Sequence, residues 1–291
     1  MKMDPRCTYC LLSRVHYEAE LATDDTDKIY RAITECMDVM RNTYMPGVAA
    51  GVVSTAVHRK AYEIIENNDP YYNLKELSNS TAKQVYPVAK DLIYQNGPSL
   101  EEAFRRAILA SVIGNYFDFG VMGFDVGEDV FDETFRNVFY KGLDVDDTSE
   151  MFKMLENVVY VADNCGEIIL DTFVFDLIKK AGGTITLVVR GEPILTDVTM
   201  EDVRQLNLED KVDRVLTTGC NAIGVAFDEA PQELLEAFNK ASLIISKGMA
   251  NYETLSERKL GPIAYLLQTK CESVAQDMGL EKGYSVAKLM R

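Results

Sequence analysis

Asp163 and Asn164 stand side by side in the segment Asn157–Asp171, NVVYVADNCGEIILD, directly after an apolar, β-branched run. A carboxylate next to a carboxamide offers hard oxygen donors, the kind that suit Mg²⁺ or Mn²⁺. A second carboxylate, Asp197, follows in EPILTDVT, and Lys247-Gly248 in SKGMANYE sets an ammonium beside a flexible backbone, suited to a phosphoryl oxygen. Gly166 lets the chain approach a ligand closely, and the helix start behind it turns unpaired N–H groups toward an anion. Oxygen donors for a cation beside a site for an anion point to phosphate chemistry. Each residue also has a plainer reading. Asp163 and Asp197 could each cap a helix, and Lys247 could simply be solvated.

These residues need a scaffold that brings distant segments together, and the hydrophobic rhythm supplies one. Val158–Ala162 reads as a strand, Ile168–Lys180 as a helix capped by Gly182-Gly183, and Thr184–Arg190 as a second strand. Met200–Leu206 and Pro231–Ala241 read as helices; Arg214–Thr217, Leu243–Ser246 and Ile263–Leu267 as further strands. Strands alternating with helices predict an α/β fold, an α/β/α sandwich with a mostly parallel sheet. In such sheets ligands sit outside the carboxyl ends of the strands. Asp163-Asn164, Arg190, Thr217-Thr218-Gly219-Cys220 and Lys247 all fall at those ends.

Residues 1–150 have a different rhythm. Apolar positions recur at three and four in Leu11–Leu21, Ile29–Met40, Val52–Ile65 and Leu100–Val112, so this part is read as a helical subdomain, distinct from the α/β subdomain of residues 151–291. Ser99 followed by Glu101-Glu102 is a helix start, Asp69-Pro70-Tyr71 a turn, Val121–Asp129 a loop and Asp144–Ser149 an acidic link.

Composition narrows the partners. Hydrophobic residues are 47% and charged residues 26% of the 291, and the net charge is −16. That charge argues against nucleic-acid binding, which needs basic faces. No apolar run is long enough to span a membrane, and MKMDPRCTYC lacks the core of a signal peptide, so a cytoplasmic protein is expected. The six cysteines are then reduced thiols rather than a disulfide frame, and two histidines exclude a His-rich catalytic metal site.

VADNCGE, EPILTDVT and SKGMANYE resemble the signature segments of the damage-control phosphatase family, formerly domain of unknown function 89. GNYFDFG at 114–120 is similar to the family's Gly-Asn-x-x-Asp segment, and DPYYNLKELSN at 69–79 to its helical-region motif. The resemblance implies a helical N-terminal part on an α/β/α sandwich, and metal-dependent hydrolysis of small phosphomonoesters. It implies Asp163, Asn164 and Asp197 as ligands of a divalent metal: Mn²⁺, Mg²⁺, Co²⁺ or Ni²⁺. Lys247 would contact phosphate, Asn115 and Asp118 would reach in from the helical part, and Glu167, Asn251 and Glu253 would lie near the substrate, a small phosphorylated metabolite. Cys165 stands where many members carry a smaller residue, and is read as packing.

Cys7-Thr8-Tyr9-Cys10 is a separate feature. A C-x-x-C can hold half a structural zinc or iron site, act as a redox pair, or be two reduced bystanders. His58 and Cys271 are the first partners to consider for a metal there, although His58 alone reads more simply as a core histidine. Two other functions compete with the phosphatase. A methyltransferase on a Rossmann-like sheet would need neither Asp197 nor Lys247, and no Gly-x-Gly-x-x-Gly or Walker loop is present. A non-catalytic metabolite- or metal-binding protein would show binding without turnover. The oligomeric state and the substrate's leaving group are left open by the sequence.

Overall fold

The strand that leads to Asp163 has two buried faces, and the rest of the chain is layered onto them. The structure is a computed structural model, and it describes residues 1–116 and 128–291. The helical part comprises α1 (Cys7–Ala22), α2 (Thr26–Thr43), α3 (Ala50–Ile65), α4 (Tyr72–Tyr94), α5 (Leu100–Tyr116) and α6 (Glu128–Lys141). There follow β1 (Val145–Asp146), α7 (Thr148–Phe152), β2 (Asn157–Val161), α8 (Glu167–Lys180), β3 (Thr184–Val189) and α9 (Met200–Gln205). After a 3₁₀ turn at Leu208–Lys211 come β4 (Arg214–Thr217), α10 (Gln232–Lys240), β5 (Leu243–Lys247) and α11 (Gly248–Leu255). The chain closes with β6 (Ile263–Gln268), α12 (Glu272–Met278) and β7 (Ser285–Met290).

The seven strands form one sheet in the order β1-β7-β6-β5-β2-β3-β4. Strands β2 to β6 run parallel, β7 lies antiparallel to β6, and β1 runs parallel to β7. The mixed α/β architecture is the one expected, with two strands more. β1 is two residues long and sits in the stretch read as an acidic link. β7 is half-exposed at Lys288 and Leu289, so its pattern is too weak to signal a strand without β6 beside it.

Along β2 the side chains alternate between two cores. Val158 and Tyr160 point into one cluster with Ile108 and Val112 of α5 and Phe173 and Leu177 of α8. Val159 and Val161 point into the other, with Val53, Val57 and Ala61 of α3 and Leu234 and Phe238 of α10. Both clusters draw on residues either side of position 150, so packing crosses the point where the sequence rhythm changes. α4 and α5 cover α8 on one face of the sheet, whereas α3 meets α11. A buried ion pair, Lys75 to Asp202 at 2.9 Å, ties α4 to α9. Asp118 and the expected loop at 121–127 lie outside the described residues, while Glu128 and Asp129 open α6.

Candidate active site

Two loops meet at the end of β2. The backbone N–H of Val198 donates to Asp163 O at 2.9 Å, and that of Cys165 to Thr196 O at 2.8 Å. Asn164 and Asp197 are thereby paired in a short antiparallel bridge. This zipper carries Asp197 from the loop after β3 to the side of Asp163-Asn164. All three side chains are buried, at 6%, 6% and 2% exposure.

Two glycines make room for them. Gly248 opens α11 at φ +74°, and a Cβ there would stand 1.7 Å from Asp163 Oδ2. Gly166 has φ +78°, and a Cβ on it would meet the carbonyl of Ser78 in α4 at 2.8 Å. The next residue of α4, Asn79, accepts from the Gly166 N–H at 2.7 Å. The helical-region motif therefore clamps the loop that carries Asp163 and Asn164. Asn251 braces it from the other side, donating to Ala162 O at 2.9 Å and Lys247 O at 2.7 Å. It is fully buried and supports the strand ends from behind.

Arg190, which follows β3, neutralises the carboxylates. Its Nε donates to Asp197 Oδ2 at 2.5 Å, its Nη2 lies 3.9 Å from Asp163 Oδ1, and its Nη1 donates to Gly224 O at 2.9 Å. The carboxamides of Asn115 and Asn164 both donate to Asp163 Oδ2, at 3.1 and 2.8 Å. They also both donate to Glu167 Oε2, at 2.9 and 3.3 Å. Asn164 Oδ1, turned the other way, accepts from Thr196 at 2.7 Å. Two carboxylates thus border one cavity with the Asn164 carboxamide between their loops, residue types that supply the hard oxygen donors divalent cations take. Among the described residues no group of three or more His, Cys, Asp or Glu could hold a metal.

A cavity of about 180 Å³ opens over Asp163, Asn164, Asp197 and Asn115. Its walls include Glu253, His58, Arg14 and Lys270, which come from four separate segments. Burial pushes the Glu253 carboxyl up to about 7, against the pull of the Met1 ammonium and with Asp277 adding to the rise. His58 is no distant core residue. Its Nδ1 is held by the fully buried carboxylate of Glu18, at 3.0 and 3.1 Å, while its ring borders the same cavity as Asp163. Arg14, Lys270 and Glu18 carried no signal in the sequence, because nothing local marks them as neighbours of the strand ends.

Lys247 is placed differently from the sequence expectation. It is fully buried and is not among the residues that border the cavity. Its ammonium contacts Ser111 Oγ at 2.6 Å, Asp171 Oδ1 at 2.8 Å and Ser111 O at 3.2 Å, and it is ion-paired with Glu167 Oε1. Burial lowers the Lys247 pKa, but Asp171 and Glu167 outweigh it and the net direction is up. Glu167 likewise lies behind the cavity, linking Lys247 to the two carboxamides.

Of the three cysteines and the histidine considered for a second metal, Cys7 and Cys271 lie close enough that, after burial, Cys7 helps raise the Cys271 thiol. Cys10 is exposed at the rim of the cavity, Cys7 is half-buried, Cys271 caps α12 by accepting from Val274 N at 3.4 Å, and His58 is engaged with Glu18. Cys165 is buried, with burial pushing its thiol well up, as befits a neutral packing residue.

The damage-control phosphatase ARMT1-like domain matches residues 3–286. The chain belongs to this family. It is 41% identical to a damage-control phosphatase of Archaeoglobus fulgidus over 291 residues, covering 100% of both chains. It is 32% identical to a damage-control phosphatase of Pyrococcus horikoshii, covering 97% of this chain and 96% of that one. The crystal structure of a DUF89 family protein from Pyrococcus horikoshii superposes with a TM-score of 0.89, at 29% identity and 100% coverage of both chains. The damage-control phosphatase family thus accounts for nearly the whole chain, and no described helix is long and apolar enough to cross a membrane.

Proposed function

We propose that this damage-control phosphatase family member hydrolyses small phosphomonoesters with the help of a divalent cation held by Asp163, Asn164 and Asp197. The observation that carries this reading is the convergence of those three oxygen donors at the floor of one cavity, with Arg190 paired to the carboxylates. Bound there, a cation such as Mn²⁺, Mg²⁺, Co²⁺ or Ni²⁺ supplies Lewis-acid polarisation of the phosphoryl group and acidifies a water.

The chain's own residues do the rest. Asn115 and Asn164 hold Asp163 through their N–H groups, which keeps its second oxygen directed toward Arg190 and the cavity. Glu253, with a carboxyl near neutrality, accepts the proton of the attacking water. Arg14 and Lys270 border the cavity and offset the charge of the phosphoryl oxygens and of the departing alcohol. On this reading the rate comes from positioning and electrostatics.

The test is turnover of a generic aryl phosphate by the full chain. Activity should vanish on chelation, return with one of the four cations, and be lost in Asp163→Ala and Asp197→Ala with the circular dichroism spectrum unchanged. Full-rate turnover after chelation would overturn the reading.

A further inference from the structure

The Lys247 ammonium has three protons to donate. Four acceptors surround it within the fold: Ser111 Oγ, Ser111 O, Asp171 Oδ1 and Glu167 Oε1. No donor is left over for a ligand, and Lys247 does not border the cavity. Asp171 is fully buried and its Oδ2 has no hydrogen-bond partner. An ionisable side chain with an orphaned oxygen is a poor solution for packing alone, since buried polar atoms are nearly always satisfied. Asp171 holds Lys247 through Oδ1, which also accepts from Ser111 Oγ at 2.6 Å.

The chain of contacts continues to the site. Lys247 fixes one oxygen of Glu167, and the other accepts from the carboxamide nitrogens of both Asn115 and Asn164. That fixes which end of the Asn164 carboxamide faces inward. Its nitrogen is turned to Glu167 and Asp163, and its oxygen is the end that accepts from the Thr196 hydroxyl at 2.7 Å, with a second lone pair left over.

We propose that Asp171 and Ser111 are positioning residues: through Lys247 and Glu167 they orient the Asn164 carboxamide so that its oxygen, and not its nitrogen, is offered to a cation. Lys247 thus acts on the metal side of the site and does not bind phosphate. The proposal rests on the metal reading given above. Groups behind a ligand that set its orientation typically change metal affinity by 10–100-fold when removed.

The experiment is calorimetric titration of Mn²⁺ into the metal-free full chain, wild type against Asp171→Asn and Ser111→Ala. Ser111→Ala changes no charge, so it separates orientation from simple electrostatics and serves if Asp171→Asn does not fold. Both variants should bind Mn²⁺ roughly tenfold or more weakly, while inorganic phosphate, titrated at saturating Mn²⁺, should bind as in the wild type. Wild-type Mn²⁺ affinity in Ser111→Ala would overturn the proposal. So would weakened phosphate binding with Mn²⁺ affinity intact, which would make Lys247 a phosphate donor. A wild-type chain that binds none of the four cations would instead bring down the metal reading itself, and the positioning claim with it.

Discussion

Arg190 donates to Asp197 from a position 3.9 Å from Asp163, so one buried guanidinium serves both candidate metal-binding carboxylates. Without a countercharge, two buried carboxylates would repel each other and raise their pKa values. The guanidinium offsets that repulsion from within the fold.

Arg190→Met should therefore destabilise the metal-free protein by about 3–5 kcal/mol, the usual cost of removing one partner of a buried ion pair. A divalent cation would take over part of the lost neutralisation. Thermal melts with and without Mn²⁺ should show a larger upward shift in the variant than in the wild type. Equal shifts would mean that Arg190 and the cation do not share the same carboxylates.

Gly248→Ala tests the geometry of the floor. Its new methyl group would overlap Asp163 Oδ2, and the backbone at φ +74° disfavours any side chain. Asp163 must move, and misplacement of about 1 Å can cost roughly 10² in rate. The expected outcome is kcat/KM down by about that factor in a protein whose far-ultraviolet circular dichroism is unaltered. Near-normal turnover would show that Asp163 is not held where the chemistry occurs.

Asn79 gives a prediction on the clamp from α4. Asn79→Ala leaves the buried Gly166 N–H without its acceptor, at a cost of about 1–3 kcal/mol in urea unfolding. Asn79→Asp keeps an acceptor oxygen and should recover most of that loss. If the two variants unfolded alike, the hydrogen bond would not be the reason for the clamp.

The Glu253 carboxyl, pushed by burial from 4.5 to about 7, should mark the pH profile. As a base it must be ionised, so kcat/KM should rise with pH up to about 7 and level off above it. Glu253→Gln should lower the plateau and remove this limb. Stability runs in the opposite sense. Between pH 4.5 and 7 the folded chain holds a proton that the unfolded chain has released, so this group's contribution declines as pH rises through that window. Above it the contribution is flat. In Glu253→Gln the decline should be absent from melting temperatures taken across the same range.

Much of the scaffold follows from local pattern alone. Runs of β-branched residues between amphipathic stretches dictate parallel strands with helices on both sides, and β4 spans the very residues that its periodicity marks. A strand buried on both faces must present its polar residues at its end, which is why Asp163-Asn164 is legible in the sequence. Asp197 is legible as a carboxylate in the loop after β3, but the bridge to Asn164 is what brings it beside Asp163. What the tertiary structure decided is which side chains meet there. Lys247 was expected at the cavity because it ends β5, yet its partner Ser111 is 136 residues away, and only the packing of α5 against α8 shows that the ammonium turns inward. His58, Arg14 and Lys270 reach the cavity from α3, α1 and the turn after β6, and no local spacing relates them to Asp163. Periodicity reports which face of an element is buried. It carries no information on which distant face it will be buried against, and that choice assembled the site.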